Sequence, residues 1–284
     1  MLDFFKYQSL GNDFMLFDWL DKPADEINNT LNDVGWPKFV RSICKREDVN
    51  VGADGVLIVK HDKSNNTEVL IFNSDGSDGE KCLNGARCVA HYLFAQKKFP
   101  KNFNLSMCGD RIKCQIKDSG GSVAIIMNVG KANCIEQHEL SIEDVLLRGQ
   151  VVDIGNPHFV IEKEVTSKWL SENGKSIECH KYFPRKTNVE FIWKNQKESK
   201  QKRVLIYNML VYERGCGLTK ACGTGAAAVI QVLYDTKKIK KNEIVWIKMP
   251  GGVLKSFVND EGDIVQEAED VCTFAGFQVD KFSG

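Results

Sequence analysis

No excess of charge marks this sequence: 38 Lys and Arg stand against 38 Asp and Glu in 284 residues, for a formal net charge of zero. Nucleic acids and anionic membrane surfaces are gripped largely by surplus positive charge, so neither is expected as a partner. The sequence also lacks any uninterrupted apolar run near the roughly 18 residues that a membrane helix needs. Met1 to Lys6 leads into acidic and polar sequence, not into the apolar core of a signal peptide. The expectation is a cytoplasmic protein. CxxC pairs are missing as well. The pairs Cys82/Cys88, Cys108/Cys114 and Cys216/Cys222 each enclose five residues, a spacing outside the usual zinc patterns, so no metal site is expected. Without an export signal, the ten cysteines read as thiols and not as a disulfide framework.

What is present is the composition of an ordinary globular chain, 43% hydrophobic and 27% charged, which excludes wholesale disorder. At ~150 residues per domain, the length suggests two modest domains. Short apolar or alternating stretches bounded by Gly, Asn and Asp recur at Phe4 to Lys6, Phe14 to Phe17, Gly55 to Val59, Val69 to Phe72, Ile112 to Ile116 and Val123 to Met127. They read as strands of a mostly antiparallel sheet.

Helical periodicity is clearest after two cysteines. Ala86, Val89, Ala90 and Leu93 fall at i, i+3, i+4 and i+7, as do Ala226, Val229, Ile230 and Leu233. The two sets differ by 140 at every position, and the same offset carries Cys82 onto Cys222, Gly85 onto Gly225 and Asn73 onto Glu213. An earlier marker, Gly11-Asn12-Asp13-Phe14 and Gly155-Asn156-Pro157-His158-Phe159, repeats at 144. Such a long shared offset indicates an internal duplication into two related domains. The boundary is expected near Asp118 to Ser122, where Ser and Gly cluster. The basic run Lys194 to Arg203 lacks interleaved aromatics and reads as a solvated hairpin loop without a function of its own.

The segments Cys82-Leu83-Asn84-Gly85 and Cys222-Gly223-Thr224-Gly225 read as loop-to-helix entries. Asn84 and Thr224 are N-cap types, and the glycines let backbone approach a ligand. A helix N-terminus presents orphan N–H donors and the positive end of the macrodipole, so it attracts a carboxylate and lowers the pKa of a nearby thiol. If the repeat faces the two starts toward each other, a thiolate and a thiol would flank one α-carbon as base and acid, the arrangement that inverts a stereocentre. Cys44, Cys88, Cys108, Cys114, Cys134, Cys179, Cys216 and Cys272 lack this context and read as small apolar residues.

These residues, together with Lys6 to Phe14, Gly52-Ala53-Asp54-Gly55, Asn73 to Arg87, Gly155 to His158, Asn188-Val189-Glu190-Phe191, Glu213-Arg214-Gly215 and Ala221 to Gly225, resemble the diaminopimelate epimerase family in order along nearly the whole chain. The resemblance implies an isomerase that interconverts LL- and meso-diaminopimelate without a cofactor, on the route to lysine and peptidoglycan. It implies an α/β fold of the α+β type: two pseudo-symmetric domains of mainly antiparallel strands, each wrapped around a central helix, with the site in the cleft. A final strand near Cys272 to Gln278 would return to the first domain. The domains would then be 1–118 plus about 272–284, and 119–271. The small-molecule substrate is the one implied partner beyond the chain itself, family members being able to form homodimers.

Carried over by position, Cys82 and Cys222 are the proton-transfer groups, and His158 and Glu213 tune their pKa values. The backbone of Leu83, Asn84, Gly223 and Thr224 would hold the reacting carboxylate, and Glu213 the α-amino group. Asn12, Asn73, Asn156, Asn188 and Arg214 would recognise the distal amino-acid end. This sequence departs from the family pattern at Leu83, where glycine is usual, at Gln8-Ser9 in place of His-Gly, and at Leu218 in place of Glu. Rival readings are a racemase of proline, hydroxyproline or histidine on the same fold, a phenazine-type isomerase without the cysteine pair, and a non-catalytic amino-acid-binding protein. The distal set argues for a two-headed substrate, and the paired thiols argue against the last two.

Overall fold

A computed structural model describes residues 2–46, 52–142, 145–269 and 271–279. The side chain of Cys272, read above as apolar filling, lies outside the described residues, as do residues 280–284 at the end of the expected first domain.

The elements run β1 (Leu2–Ser9), β2 (Asn12–Asp18), α1 (Ala24–Leu31), α2 (Trp36–Cys44), β3 (Gly55–His61), β4 (Thr67–Asn73), α3 (Leu83–Lys97), β5 (Asn102–Met107), β6 (Asp110–Asp118) and β7 (Val123–Gly130). They continue as β8 (Asn133–Ile142), β9 (Val145–Asp153), β10 (Pro157–Glu162), α4 (Ser167–Glu178), β11 (Asn188–Lys194), α5 (Gln196–Lys202), β12 (Leu205–Glu213) and β13 (Gly217–Thr219). Last come α6 (Gly223–Asp235), β14 (Val245–Met249), β15 (Gly252–Val258), β16 (Ile264–Ala268) and β17 (Val271–Val279). This is a mixed α/β fold dominated by strands, and every stretch read as a strand from sequence is one.

Two compact units emerge, Met1–Ile125 with Glu269–Gly284, and Ile126–Ala268. The Ser/Gly cluster at 118–122 forms a tight turn, closed by Ser119 N–H donating to Ser122 O at 3.2 Å, and the division falls inside β7.

In the first unit the ladder runs β17-β1-β2-β3-β4-β5-β6, and its successive pairings are antiparallel, antiparallel, parallel, antiparallel, parallel and antiparallel. In the second it runs β8-β9-β10-β11-β12-β14-β15 with the same series of senses. The duplication seen in the sequence is thus a duplication of topology. Its parallel pairs are the main departure from the expected antiparallel sheet. A parallel pair needs a crossover, and each is bridged by helix: α1 and α2 between β2 and β3, α3 between β4 and β5, α4 between β10 and β11, and α6 between β12 and β14.

The helices α3 and α6 are the hubs. α3 touches β1 through β5 and β17, and α6 touches β8 through β11, β15 and β16. α3 is buried from Leu83 to Leu93 apart from His91, and α6 from Gly223 to Leu233 apart from Gln231, as expected for helices packed on most faces. Alanines at 226, 227 and 228 keep α6 slim enough for strands on several sides. The crossover helices cover separate cores. Trp36, Val40 and Ile43 of α2 pack with Met15, Phe17 and Val56, whereas Leu170 and Ile177 of α4 pack with Phe159 and Phe191. No helix among the described residues is long and apolar enough to cross a membrane.

Candidate active site

The two cysteines occupy equivalent places. Each is the N-cap of its hub helix, in extended conformation (φ −120°, ψ 105° at Cys82; φ −128°, ψ 116° at Cys222). Each Sγ accepts from the third helical amide, Gly85 N at 3.4 Å and Gly225 N at 3.3 Å. Sequence had suggested Asn84 and Thr224 as cap types, but they lie at the second helical position. The sulfur takes the role an N-cap oxygen usually has, since it sits where the N3 amide points. The thiols therefore rest at the positive ends of two helix dipoles.

The first half-site is built on β1, β2 and α3. Leu83 is buried, so the side chain that replaces the family's usual glycine is housed within the unit. Asn84 is buried, and its Nδ2 donates to Asn12 Oδ1 at 2.5 Å while its Oδ1 accepts from Arg87 Nη1 at 3.0 Å. Arg87 also donates to Ser9 Oγ at 3.3 Å. Asn12 in turn donates to Asp54 Oδ2 at 3.3 Å. Five side chains thus link in series, from Ser9 through Arg87, Asn84 and Asn12 to Asp54, and Arg87 and Asp54 are additions that sequence reasoning missed. Asn73 ends β4 and its Nδ2 donates to Ser77 Oγ and Asp78 O, at 3.0 and 3.2 Å, holding its own turn.

The second half-site is more highly charged. Cys222 is buried, and its Sγ lies 3.3 Å from Thr224 Oγ1. Gly223 O accepts from Gln266 Nε2 at 2.8 Å, which pins the helix start to β16. Glu213 accepts from the Thr219 hydroxyl and from the Cys222 thiol. Burial pushes the Cys222 thiol well above its ordinary range, the Glu213 and Glu190 carboxylates push it further, and the Thr224 and Gly225 hydrogen bonds oppose them. Burial likewise raises Glu213, against the hydrogen bonds from Thr219 and Cys222.

His158 is fully buried on β10, with Nδ1 2.7 Å from Glu190 Oε1 and Nε2 3.0 Å from Asn156 Oδ1. Asn188 Nδ2 donates to Pro157 O at 2.9 Å, and its Oδ1 accepts from Arg214 N at 2.9 Å. The Arg214 guanidinium donates to Arg185 O at 2.9 Å. Asn156, His158, Asn188, Glu213, Arg214, Cys222, Gly223 and Thr224 are therefore gathered within one unit. Glu190 belongs with them, although sequence reading gave it no role. The available signal was a carboxylate inside the otherwise apolar, wholly buried run of β11.

In kind, each half-site pairs a thiol with amide donors for an anion, which suits proton transfer at a carbon beside a carboxylate. The fold is that of epimerases and related isomerases. A hydroxyproline epimerase from Agrobacterium vitis superposes with a TM-score of 0.68 over 98% of this chain and 91% of its own, at 12% identity. A phenazine biosynthesis protein from Bacillus anthracis does so with a TM-score of 0.70 over 98% of each chain, also at 12% identity. At such identities the likeness is one of fold. Sequence takes it further: the diaminopimelate epimerase profile matches residues 4–135 and 150–272. The diaminopimelate epimerase of Halothermothrix orenii is 33% identical over 273 residues, covering 89% of both chains. The chain belongs to the diaminopimelate epimerase family and is an isomerase.

Proposed function

We propose that the chain interconverts LL- and meso-diaminopimelate by two-base proton transfer between Cys82 and Cys222, without a cofactor. This places it in the cytoplasm, on the route to lysine and peptidoglycan precursors, with its two units as N- and C-terminal epimerase domains. The observation that carries the reading is the pair of thiols capping two topologically equivalent, glycine-containing helix starts.

Inverting a stereocentre requires a base on one face of the α-carbon and an acid on the other. One cysteine, as thiolate, takes the α-proton and becomes a thiol. The other thiol gives its proton to the opposite face and becomes a thiolate, so one turnover exchanges the two protonation states. Helix-start amides at Leu83, Asn84, Gly223 and Thr224 stabilise the negative charge that develops on the carboxylate. Glu213 receives the α-amino group. Asn12, Asn73, Asn156, Asn188 and Arg214 read the distal amino-acid head.

The test is proton NMR of the reduced protein in D2O with LL-diaminopimelate, L-proline and L-histidine in separate tubes, alongside Cys82→Ala and Cys222→Ala. Loss of the α-proton and appearance of the second isomer are expected with diaminopimelate alone, and epimerisation falls by at least about 10²-fold in either variant, the low end of general acid–base contributions. Turnover of a one-headed amino acid alone would overturn the substrate, and full activity in either variant would overturn the two-base assignment.

A further inference from the structure

The second half-site carries a buried pair of ionisable side chains where the first carries apolar ones. The parallel ladders β2–β3 and β10–β11 hold matching places, with Phe14 opposite Gly55 in one and His158 opposite Asn188 in the other. Glu190, two residues beyond Asn188, therefore corresponds to Leu57, two beyond Gly55. The hub-helix glycines give the same match. A Cβ on Gly225 would lie 2.6 Å from Glu190 Oε1, and one on Gly85 would lie 3.0 Å from Leu57 Cδ2. Phe14 and Leu57 in one copy are thus His158 and Glu190 in the other, both fully buried. Burying two ionisable groups is costly, and an apolar pair fills the same scaffold in the other unit.

The hydrogen bonds show what the pair does. Glu190 Oε1 lies 2.7 Å from His158 Nδ1, and Glu190 Oε2 is buried without a hydrogen-bond partner. On the other side of the ring, Nε2 faces Asn156 Oδ1, which can only accept. The ring is thus held between Glu190 on one side and the Asn156 amide on the other. With Oδ1 tied to the ring, the NH2 is the end of Asn156 left to meet a ligand, and an NH2 meets an acceptor such as a carboxylate oxygen. The other ionisable groups facing this pair are Glu213 from β12 and Cys222 at the start of α6.

We propose that Glu190 is a positioning residue of the second half-site: through His158 it fixes the Asn156 amide with its NH2 presented to a substrate carboxylate. The inference rests on the reading above that Asn156 binds an amino-acid head.

The test compares wild type, Glu190→Gln and Glu190→Leu, the last copying the first unit. The Asn156 side-chain amide is read by 15N–1H NMR without substrate and assigned by its loss in Asn156→Ala. Wild type is expected to show one sharp pair of amide signals, and both Glu190 variants displaced or broadened ones. KM for diaminopimelate rises about tenfold or more, the scale of losing one hydrogen bond to a charged group, while kcat changes less than threefold. Glu190→Gln keeps the shape and an acceptor, so it decides the matter if the leucine variant does not fold. An unchanged Asn156 side-chain amide signal in folded Glu190→Gln, or a KM within twofold of wild type, would overturn the proposal. If the wild type ignores diaminopimelate yet exchanges another amino acid, the substrate reading fails, and KM for that amino acid is used instead.

Discussion

Adding one methyl group at Gly225 sets the charged layer of the second half-site against the helix that carries Cys222. An alanine Cβ there would lie 2.6 Å from Glu190 Oε1, 3.0 Å from Met209 Cε and 3.1 Å from Glu190 Cδ. Met209 has a flexible end and can yield. Glu190 is held by its 2.7 Å contact with His158, so moving it weakens a buried hydrogen bond. Overpacking of this kind costs about 1–3 kcal/mol. The helix gains up to about 1 kcal/mol from replacing glycine with alanine. Because the buried Glu190 carboxylate is what must move, the upper part of the overpacking range applies, about 2–3 kcal/mol, and subtracting the helical gain leaves a net loss of about 1–2 kcal/mol. For a chain of this size that lowers Tm by roughly 2–8 °C, at about 2–4 °C per kcal/mol. Gly85→Ala is the internal control: its Cβ meets Leu57 Cδ2 at 3.0 Å and Cδ1 at 3.5 Å, the movable tip of an apolar side chain. It is expected to stay within about 1 kcal/mol of wild type, because the propensity gain roughly balances the contact. Differential scanning calorimetry and urea midpoints measure both. Equal Tm values for Gly225→Ala and wild type, or a larger loss in Gly85→Ala, would refute the account of the two helix starts.

Two further expectations concern protonation and the basic segment. The Cys222 thiol is pushed up by burial and then by Glu213 and Glu190, so the folded state keeps its proton to higher pH than the unfolded thiol, which ionises near about 8.5. Its stabilising contribution is complete below that pH and is lost as pH rises toward the folded value. Unfolding free energies measured from pH 7.5 to 10 should therefore fall more steeply in wild type than in Cys222→Ser; parallel curves would count against the shift. Asn195 caps α5 by accepting from Glu198 N at 3.1 Å. Asn195→Ala should cost about 1 kcal/mol locally, seen as faster amide exchange at 197–199. Epimerisation should remain at the wild-type rate, and loss of activity would assign this segment a role denied to it above.

Much of this was legible because burial imposes a period. Strands such as β3 and β4 announce themselves by branched apolar residues between turn formers, and the hub helices by recurrence at i, i+3 and i+4. The shared offset exposed the duplication because both copies must keep small residues where helix meets strand. Pairing sense was not legible, since β2 and β3 read alike whether their ladder is parallel or antiparallel. The basic run Lys194 to Arg203 was read as a hairpin loop but contains the seven-residue helix α5. Asn195 capping, the left-handed Arg203 at its end and Lys248 pairing with Glu198 at 2.5 Å favour helix where composition suggested only solvent. The cysteines' capping role and Glu190's place beside His158 depend on which residues tertiary packing brings near an amide or a ring, and spacing carries no record of that.

The ladder of the first unit has an edge supplied from far away: β17 pairs with β1, whereas the matching edge of the second unit, β8, lies directly before β9 in the chain. During synthesis on the ribosome, every strand of the second unit's ladder has left the exit tunnel before residues 271–279 appear. The first unit until then exposes the open hydrogen-bonding edge of β1, a surface prone to pairing with other chains. The earlier-made half is therefore the later one to close.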